Sequence, residues 1–136
     1  VTGLVGSEMC IRDSTNTKPT EDTIKSMLFG WQVLKHVKSN AIITVKDNTT
    51  VGIGAGQVSR IDAVDIAISK SKAAIKGSIL CSDAFFPFRD SIDKISQYNI
   101  NGVIQPGGSI KDNEVIDACN EHNIPMVFTG RRCFKH

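Results

Sequence analysis

Apolar residues recur at helical spacing in the first third of the chain, and shorter apolar runs follow them. A helix is predicted to start after Pro19, with Thr20 as a candidate N-cap and acidic residues in its first turn, and to end at 38–40. Two β-rich runs, 41–45 and 50–55, flank a polar turn. These two runs predict a β-hairpin directly after the helix.

The rest of the chain alternates strand-like runs with helical patterns. Short strands are predicted at 78–83, 102–105 and 126–128, and helices are predicted from Ile61, from Asp90 and around 115–119. Strands that alternate with helices indicate a layered α/β domain. The predicted fold class is therefore α/β, with a mixed sheet and flanking helices.

The first fourteen residues match no pattern further along the chain. The run from Gly6 to Ser14 resembles the translated sequence of a sequencing adaptor. We expect residues 1–14 to be a non-native or disordered tail and residues 15–136 to form the domain. The alternative is a genuine N-terminal tail that is poorly ordered.

Composition excludes several classes of function. The chain has 136 residues, a net charge of +2 and no basic stripe, so nucleic-acid binding is not expected. It has neither an apolar run of the ~20 residues that span a bilayer nor a secretory signal pattern, so we expect a cytoplasmic location and no membrane partner. The four cysteines form no C-x-x-C pair, which argues against a zinc site. Cys81 and Cys119 are predicted to be small buried apolar side chains.

Three unusual loops each lie between a predicted strand and the next helix. They are a glycine-rich turn (52–60), an aromatic loop (82–90) with three phenylalanines, and a Pro-Gly-Gly-Ser turn (106–109). Ligands of open α/β sheets bind outside the carboxyl ends of the strands, so the three loops are predicted to line one cleft. The aromatic loop is interpreted as a ligand contact, and the alternative is a strand end closed by a proline turn.

Individual polar residues suggest binding chemistry, each with a structural alternative. Arg60 carries a donor fork suited to carboxylate or phosphate, but it could also be a solvated arginine on the first helical turn. Ser109 is expected to cap the next helix rather than bind a ligand. Arg132 could reach the strand-end cleft and bind a phosphate. His36 and His122 are expected to be solvated residues at helix ends.

The three loops and the ending Arg132-x-Phe-x-His136 occur in an order that resembles a known family. They are similar to the C-terminal part of the bifunctional purine-biosynthesis enzymes that combine aminoimidazole carboxamide ribonucleotide (AICAR) formyltransferase with IMP cyclohydrolase. The resemblance runs from about Thr15 to His136. It implies cytidine-deaminase-like α/β layers without a zinc site, and a homodimeric parent enzyme. It also implies formyl transfer from the cosubstrate 10-formyltetrahydrofolate to the 5-amino group of AICAR, without a metal.

The same resemblance implies two sets of binding residues. Contacts to the ribonucleotide are expected from Asn40, Arg60, Phe85 and Arg132. Phe85 would stack on the imidazole, Asn40 would hydrogen-bond the nucleotide and Arg132 would bind its phosphate. Contacts to the folate are expected from Ile61, Asp90, Ser109 and Ile110.

Two departures from the family pattern limit the expected activity. The family's catalytic Lys-His pair belongs to an upstream segment, and neither Lys35–His36 nor Lys135–His136 lies in the matching motif. The resemblance also leaves out the cyclohydrolase domain, so we expect this chain to be the last portion of a longer enzyme. Loss of a general base costs about 10²–10⁴-fold in rate, so the chain alone is predicted to be inactive. The alternative is a free-standing module that binds a nucleotide or folate without catalysis. A zinc deaminase is not expected, because the cysteines and histidines do not have the spacing of zinc ligands.

Overall fold

A seven-stranded sheet with helices on both faces organises the described part of the chain. The computed structural model describes residues 2–5 and 9–130. The strands are β1 (Thr2–Val5), β2 (Met9–Asp13), β3 (Ile42–Lys46), β4 (Thr49–Gly54), β5 (Ile79–Ser82), β6 (Gly102–Gln105) and β7 (Met126–Phe128). The helices are α1 (Glu21–Leu34), α2 (Arg60–Ser71), α3 (Asp90–Ile95) and α4 (Asp112–Glu121), with 3-10 turns at Lys72–Ile75 and Ser96–Tyr98.

The sheet is mixed, as the sequence predicted. Its strand order is β1-β2-β7-β6-β5-β3-β4, and β5, β6 and β7 are parallel neighbours. The remaining pairs are antiparallel, including the β3–β4 hairpin. Asp47 and Asn48 close this hairpin with φ values of 53° and 56°. Positive φ at both central residues matches the right-handed twist of the strands, so the predicted hairpin is confirmed.

Alternating side chains of the central strands build one core on each face of the sheet. Ile43, Cys81 and Ile104 point to the face covered by α1, where they pack with Met27 and Trp31 of that helix. Their strand neighbours Ile42, Leu80 and Val103 point to the opposite face, where α2, α3 and α4 cover them. Strands buried on both faces carry continuous apolar runs, which explains the short runs in the sequence.

Helix α1 begins as predicted but ends earlier. Thr20 is its N-cap, and the Thr20 Oγ1 accepts a hydrogen bond of 3.1 Å from the Thr23 N–H. The helix ends at Leu34 instead of at 38–40, because the following residues pair with the chain after β4. The Lys38 carbonyl accepts a 2.8 Å hydrogen bond from the Gly56 N–H, which requires an extended rather than a helical backbone.

The segment that sequence reasoning excluded from the fold supplies two strands of the sheet, the edge strand β1 and its neighbour β2. β2 pairs antiparallel with β7, with Arg12 opposite Phe128 and Asp13 opposite Val127. Ile11 is buried in the α1-side core, and the Arg12 guanidinium lies 5.6 Å from the Phe128 ring centroid. The interpretation of residues 1–14 as a non-native tail stays a prediction, but their described part does pair with the sheet.

The two central cysteines are apolar core residues, as predicted. Cys81 and Cys119 are both free and buried. Cys81 packs so closely on α1 that a Cβ added at Gly30 would lie 2.2 Å from its Sγ. Burial raises the pKa of Cys81 above its ordinary range and raises that of Cys119 to about 12. Among the described helices, none combines the length and apolar character needed to cross a bilayer.

Candidate ligand cleft at the strand ends

The topology brings the three unusual loops to the same edge of the sheet. β4 and β5 are both antiparallel to β3, and β5 is parallel to β6. The carboxyl ends of β4, β5 and β6 therefore meet at one edge, together with the start of β3. This edge is where ligands bind in open α/β sheets.

A cleft of about 350 Å³ opens at this edge, in the size range of small-ligand sites. Its lining consists of Asn40, Val58, Ser59, Arg60, Ala84, Phe85 and Pro87. These residues come from the start of β3, the glycine-rich turn and the aromatic loop. The Pro-Gly-Gly-Ser turn contributes no lining residue, so the prediction of one shared cleft holds for two of the three loops.

Arg60 is held inside the cleft wall by three hydrogen bonds. It is the first residue of α2 and is only 8% exposed. Its Nη1 donates to the Asp83 Oδ1 at 2.5 Å and to the Ala41 carbonyl at 3.1 Å, while its Nη2 donates to the Asn40 Oδ1 at 3.1 Å. The solvated arginine is therefore the wrong alternative, and the guanidinium is not an unpaired cation either.

Asp83 is the buried partner that sequence reasoning missed. It follows β5 directly and is 0% exposed. Besides Arg60, its carboxylate accepts a 2.6 Å hydrogen bond from the Ser39 hydroxyl and a 3.2 Å hydrogen bond from the Ala41 N–H. A carboxylate directly after a buried apolar strand was the available signal, since a buried charge requires a partner.

Asn40 links the two sides of the cleft. Its Oδ1 accepts from the Arg60 Nη2, and its Nδ2 donates to the Val58 carbonyl at 2.9 Å. The Ser39–Asn40 peptide bond is cis. The structure thus brings Asn40, Arg60 and Phe85, three of the four expected ribonucleotide contacts, to one cleft. The fourth, Arg132, lies outside the described residues.

The three phenylalanines of the aromatic loop have three different environments. Phe85 is half-buried and lines the cleft, Phe86 is 0% exposed in the core, and Phe88 is 56% exposed. Successive residues leaving a strand point in different directions, so a run of aromatic residues cannot all face one site. Phe86 thus packs in the core beside the strand end, whereas Phe85 lines the cleft. The interpretation of the loop as a ligand contact stays a prediction.

The four residues expected to bind folate do not line this cleft. Ile61 is half-buried on the first turn of α2, and Asp90 is exposed at the start of α3, where its carboxylate accepts from the Ser91 N–H. Ser109 is half-buried, and Ile110 is 98% exposed. Their assignment to folate stays a prediction.

Ser109 is not the N-cap of α4, contrary to the prediction. The cap position is Lys111, without a capping side chain, and Ser109 Oγ accepts from the Lys111 N–H at 3.0 Å. The carboxylate of Asp112 accepts instead from the Gly108 and Ser109 N–H groups at 2.8 and 3.1 Å. Gly107 and Gly108 have φ values of 76° and 102°, a backbone that favours glycine and turns these N–H groups toward Asp112.

A surface ion-pair network fixes the far end of the aromatic loop. Arg89 hydrogen-bonds both oxygens of Asp93 at 3.0 Å and also pairs with Glu121. Arg89 therefore lowers the pKa of Asp93 and that of Glu121. His122 is exposed at the end of α4, as expected, and its Nε2 also lies 3.0 Å from the Asp93 Oδ1. His36 is exposed beyond α1, also as predicted.

The same cluster has the residue types of a metal site but not its electrostatics. Asp93, Glu121 and His122 place one ligand atom each within 4.8 Å of one another. Because Arg89 already pairs with both carboxylates, their charge is compensated by a cation of the protein. We therefore interpret the cluster as a link between α3 and α4.

Fold and cleft together define an α/β domain with a polar, aromatic-walled candidate ligand site at the ends of its strands. A family model described as "AICARFT/IMPCHase bienzyme" matches residues 6–70 of this chain. The bifunctional purine biosynthesis proteins PurH of Persephonella marina and Dictyostelium discoideum are 54% and 59% identical over 125 and 122 residues, each covering 90% of the chain. Over nine-tenths of its length the chain therefore resembles the bifunctional proteins of the AICARFT/IMPCHase bienzyme family.

The chain spans about a quarter of the length of the curated relatives that it matches. It covers 24% of the Persephonella marina protein and 25% of the Rhodopirellula baltica PurH, which is 51% identical over 133 residues. Among solved structures, Acinetobacter baumannii RibD, form 2, matches 79% of the chain with a TM-score of 0.50. With 10% sequence identity, this match shows a likeness of fold alone.

Proposed function

We propose that this chain is the C-terminal portion of an AICAR formyltransferase that is joined in its parent protein to IMP cyclohydrolase. The reaction transfers a formyl group from 10-formyltetrahydrofolate to the 5-amino group of AICAR. The support is sequence identity above 50% over 90% of the chain to proteins named for bifunctional purine biosynthesis. The order of the three loop motifs supports the proposed assignment to the formyltransferase portion.

The observation that carries the proposal is the convergence of Asn40, Arg60 and Phe85 on one cleft. A half-buried ring beside a guanidinium and an amide suits a flat heteroaromatic group with a polar substituent. We assign Phe85 to stacking on the imidazole, and Arg60 and Asn40 to hydrogen bonds with the polar groups of the base. Arg132 is proposed to bind the phosphate.

The folate is proposed to bind beside this cleft, along the same edge of the sheet. Ile61 lies in the first turn of α2 and Asp90 begins α3, and both helices follow a strand of this edge. Ser109 and Ile110 belong to the turn after β6. The nearly complete exposure of Ile110 is consistent with a contact surface for a large cosubstrate. These four residues are therefore proposed as the folate-binding set.

The general base is proposed to come from the part of the relatives that this chain does not match. The amine of AICAR must lose a proton as it attacks the formyl carbon, and a positioned base assists that step. The seven residues that line the cleft include no histidine and no lysine. The isolated chain is thus proposed to be unable to catalyse the reaction.

The proposed setting follows the family resemblance. The parent enzyme is proposed to act in the cytoplasm as a homodimer that forms its active site across the subunit interface, and to use folate as a cosubstrate without a metal. The helices on both sheet faces are proposed to be the layers of a cytidine-deaminase-like fold.

A non-catalytic nucleotide-binding module is the second candidate, and the preformed cleft favours it. Arg60 and Asn40 are already fixed by hydrogen bonds without a ligand, so little ordering is needed on binding. Calorimetric titration of the isolated chain with AICAR separates the candidates. Micromolar affinity supports the module, and much weaker binding supports an incomplete enzyme.

A chimera tests the formyltransferase assignment. Residues 16–130 of this chain replace the matching segment of the Persephonella marina relative, and both formyl transfer and IMP cyclohydrolase activity are measured. Within the chimera, Phe85→Ala is expected to lower kcat/KM of formyl transfer by at least about tenfold, the loss of one stacking contact. Cyclohydrolase activity should stay unchanged. Loss of cyclohydrolase activity alone would place this segment in the other half of the bienzyme.

A further inference from the structure

Asp83 is a buried carboxylate that the proposed reaction does not use. It is 0% exposed and lies behind Arg60, within hydrogen-bond distance of Ser39 and Ala41 just before β3. Burying a charge is costly unless it is paired and hydrogen-bonded. The Ser39 hydroxyl, the Ala41 N–H and Arg60 together satisfy the Asp83 carboxylate.

Asp83 also fixes the position of the polar cleft wall. One nitrogen of Arg60 is shared between Asp83 and the Ala41 carbonyl, and the other donates to Asn40. A planar fork held at both nitrogens cannot rotate freely. The orientation of the Asn40 amide depends in turn on Arg60 and on the Val58 carbonyl.

The ion pair decides the charge of the cleft. Arg60 is the only charged residue among the seven that line it, and Asp83 cancels that charge from behind. Arg60 has five N–H donors, of which the bonds to Asp83, Ala41 and Asn40 engage three. The described residues thus leave the cleft with spare hydrogen-bond donors but no net positive charge.

We propose that Asp83 is a positioning and specificity-determining residue that makes this cleft accept an uncharged, flat, hydrogen-bonding group and reject an anion. A carboxamide on a heteroaromatic ring is the class of group that fits, whereas a phosphate requires an uncompensated cation. The inference rests on the proposed function only for the identity of the ring. It assigns the phosphate of a nucleotide to a different part of the protein.

Replacement of the carboxylate tests this inference with inorganic phosphate as the probe. Asp83→Asn keeps the size of the side chain and leaves Arg60 uncompensated. The melting temperature of the whole chain is measured with phosphate and with chloride at matched ionic strength. Phosphate should bind the Asp83→Asn cleft at least about tenfold more tightly than the wild-type cleft, because it replaces the missing negative charge. The variant should therefore gain more thermal stability from phosphate than the wild type does.

Two control variants distinguish phosphate binding at the cleft from the general effects of a lost charge or a weakened core. Asp62→Asn removes the same charge from an exposed position on α2, and Leu34→Ala destabilises the core without changing charge. Both should respond to phosphate like the wild-type chain. If Asp83→Asn is unfolded in chloride but folds when phosphate is added, this result supports the inference.

The inference is overturned if phosphate raises the melting temperature of the wild type and of all three variants equally. It is also overturned if Asp83→Asn is unfolded and phosphate does not restore its fold. The experiment uses neither nucleotide nor folate. Its failure is therefore distinct from failure of the formyltransferase assignment.

Discussion

Arg60 and Asp83 form a buried ion pair that joins the start of α2 to the end of β5. The Nη1 of Arg60 lies 2.5 Å from the Oδ1 of Asp83, and the two side chains are 7% and 0% exposed. The pair connects the glycine-rich turn to the aromatic loop, which are the two loops that line the cleft. Cleft geometry and domain stability therefore depend on the same contact.

Removal of one partner of this pair should be strongly destabilising. Asp83→Ala leaves Arg60 buried without its counter-charge, and we expect a loss of about 3–5 kcal/mol in the free energy of unfolding, measured by urea denaturation. The double variant Arg60→Gln, Asp83→Asn should lose much less, since no unpaired charge remains. Asp117→Asn, an exposed change on α4, is the control. A loss below about 1 kcal/mol for Asp83→Ala would show a solvated rather than a buried pair.

Gly30→Ala should destabilise the protein although alanine favours helices. The gain in helix propensity is about 1 kcal/mol. The new methyl group would lie 2.2 Å from the Cys81 Sγ, and overpacking of this kind costs about 1–3 kcal/mol. Combining Gly30→Ala with Cys81→Ala should recover most of the loss. The prediction is wrong if the stability losses of the two single variants, measured by thermal denaturation, simply add up in the double variant.

Capping of α1 should depend on the Thr20 hydroxyl. Thr20→Ala removes the hydrogen bond to the Thr23 N–H and should cost about 1 kcal/mol of folding free energy. Thr20→Ser retains the acceptor oxygen and is the matched control, with a loss expected to be much smaller. Equal losses for the two variants, measured by chemical denaturation, would contradict a capping role.

Burial of Cys119 should make stability fall in alkali. An unfolded thiol starts to lose its proton near its ordinary pKa of 9.0, whereas the folded Cys119 keeps it until about 12. Between these values the folded state binds more protons, so the free energy of unfolding decreases as the pH rises. The slope should be shallower in Cys119→Ala. Parallel slopes for the two proteins between pH 9 and pH 11, in denaturation series, would contradict this.

Arg89 should control the acid titration of two carboxylates. Its hydrogen bonds lower the pKa of Asp93 and that of Glu121, so their contribution to stability is present above the ordinary carboxyl pKa and is lost as the pH falls through the lowered values. Arg89→Gln should raise both pKa values toward the ordinary range, as followed by NMR of the carboxyl carbons. Unchanged titration curves would mean that the network does not persist in solution. The effect on stability should be small because solvent screens these ion pairs, whose side chains are 32%, 43% and 57% exposed.

Local patterns in the sequence predicted most of the elements. The strands at Gly102–Gln105 and Met126–Phe128 were placed at their observed limits, because each is a short apolar run bounded by glycine or proline. The Thr20 cap was also correct, since capping depends on residues three positions apart. The end of α1 was wrong, because a long-range hydrogen bond between Lys38 and Gly56 decides where the helix stops.

Only part of the candidate site could be predicted from the sequence, again because some of it depends on contacts between distant residues. The family resemblance selected Asn40, Arg60 and Phe85, and the structure places all three at one cleft. Asp83 was missed because its importance lies in a partner more than twenty residues away, on another element. Ser109 was misassigned as a cap because the backbone of the preceding glycines, which directs N–H groups to Asp112, is not visible in a residue pattern.

The most direct test of the account is an NMR titration of the isotopically labelled chain with AICAR. We predict that amide shifts change together at residues 40, 57–60 and 84–86, and that Phe85→Ala weakens this response by about tenfold. Asp117→Asn should titrate like the wild type. No change in these residues at saturating AICAR, or an undiminished response in Phe85→Ala, would contradict the assignment of this cleft to the ribonucleotide.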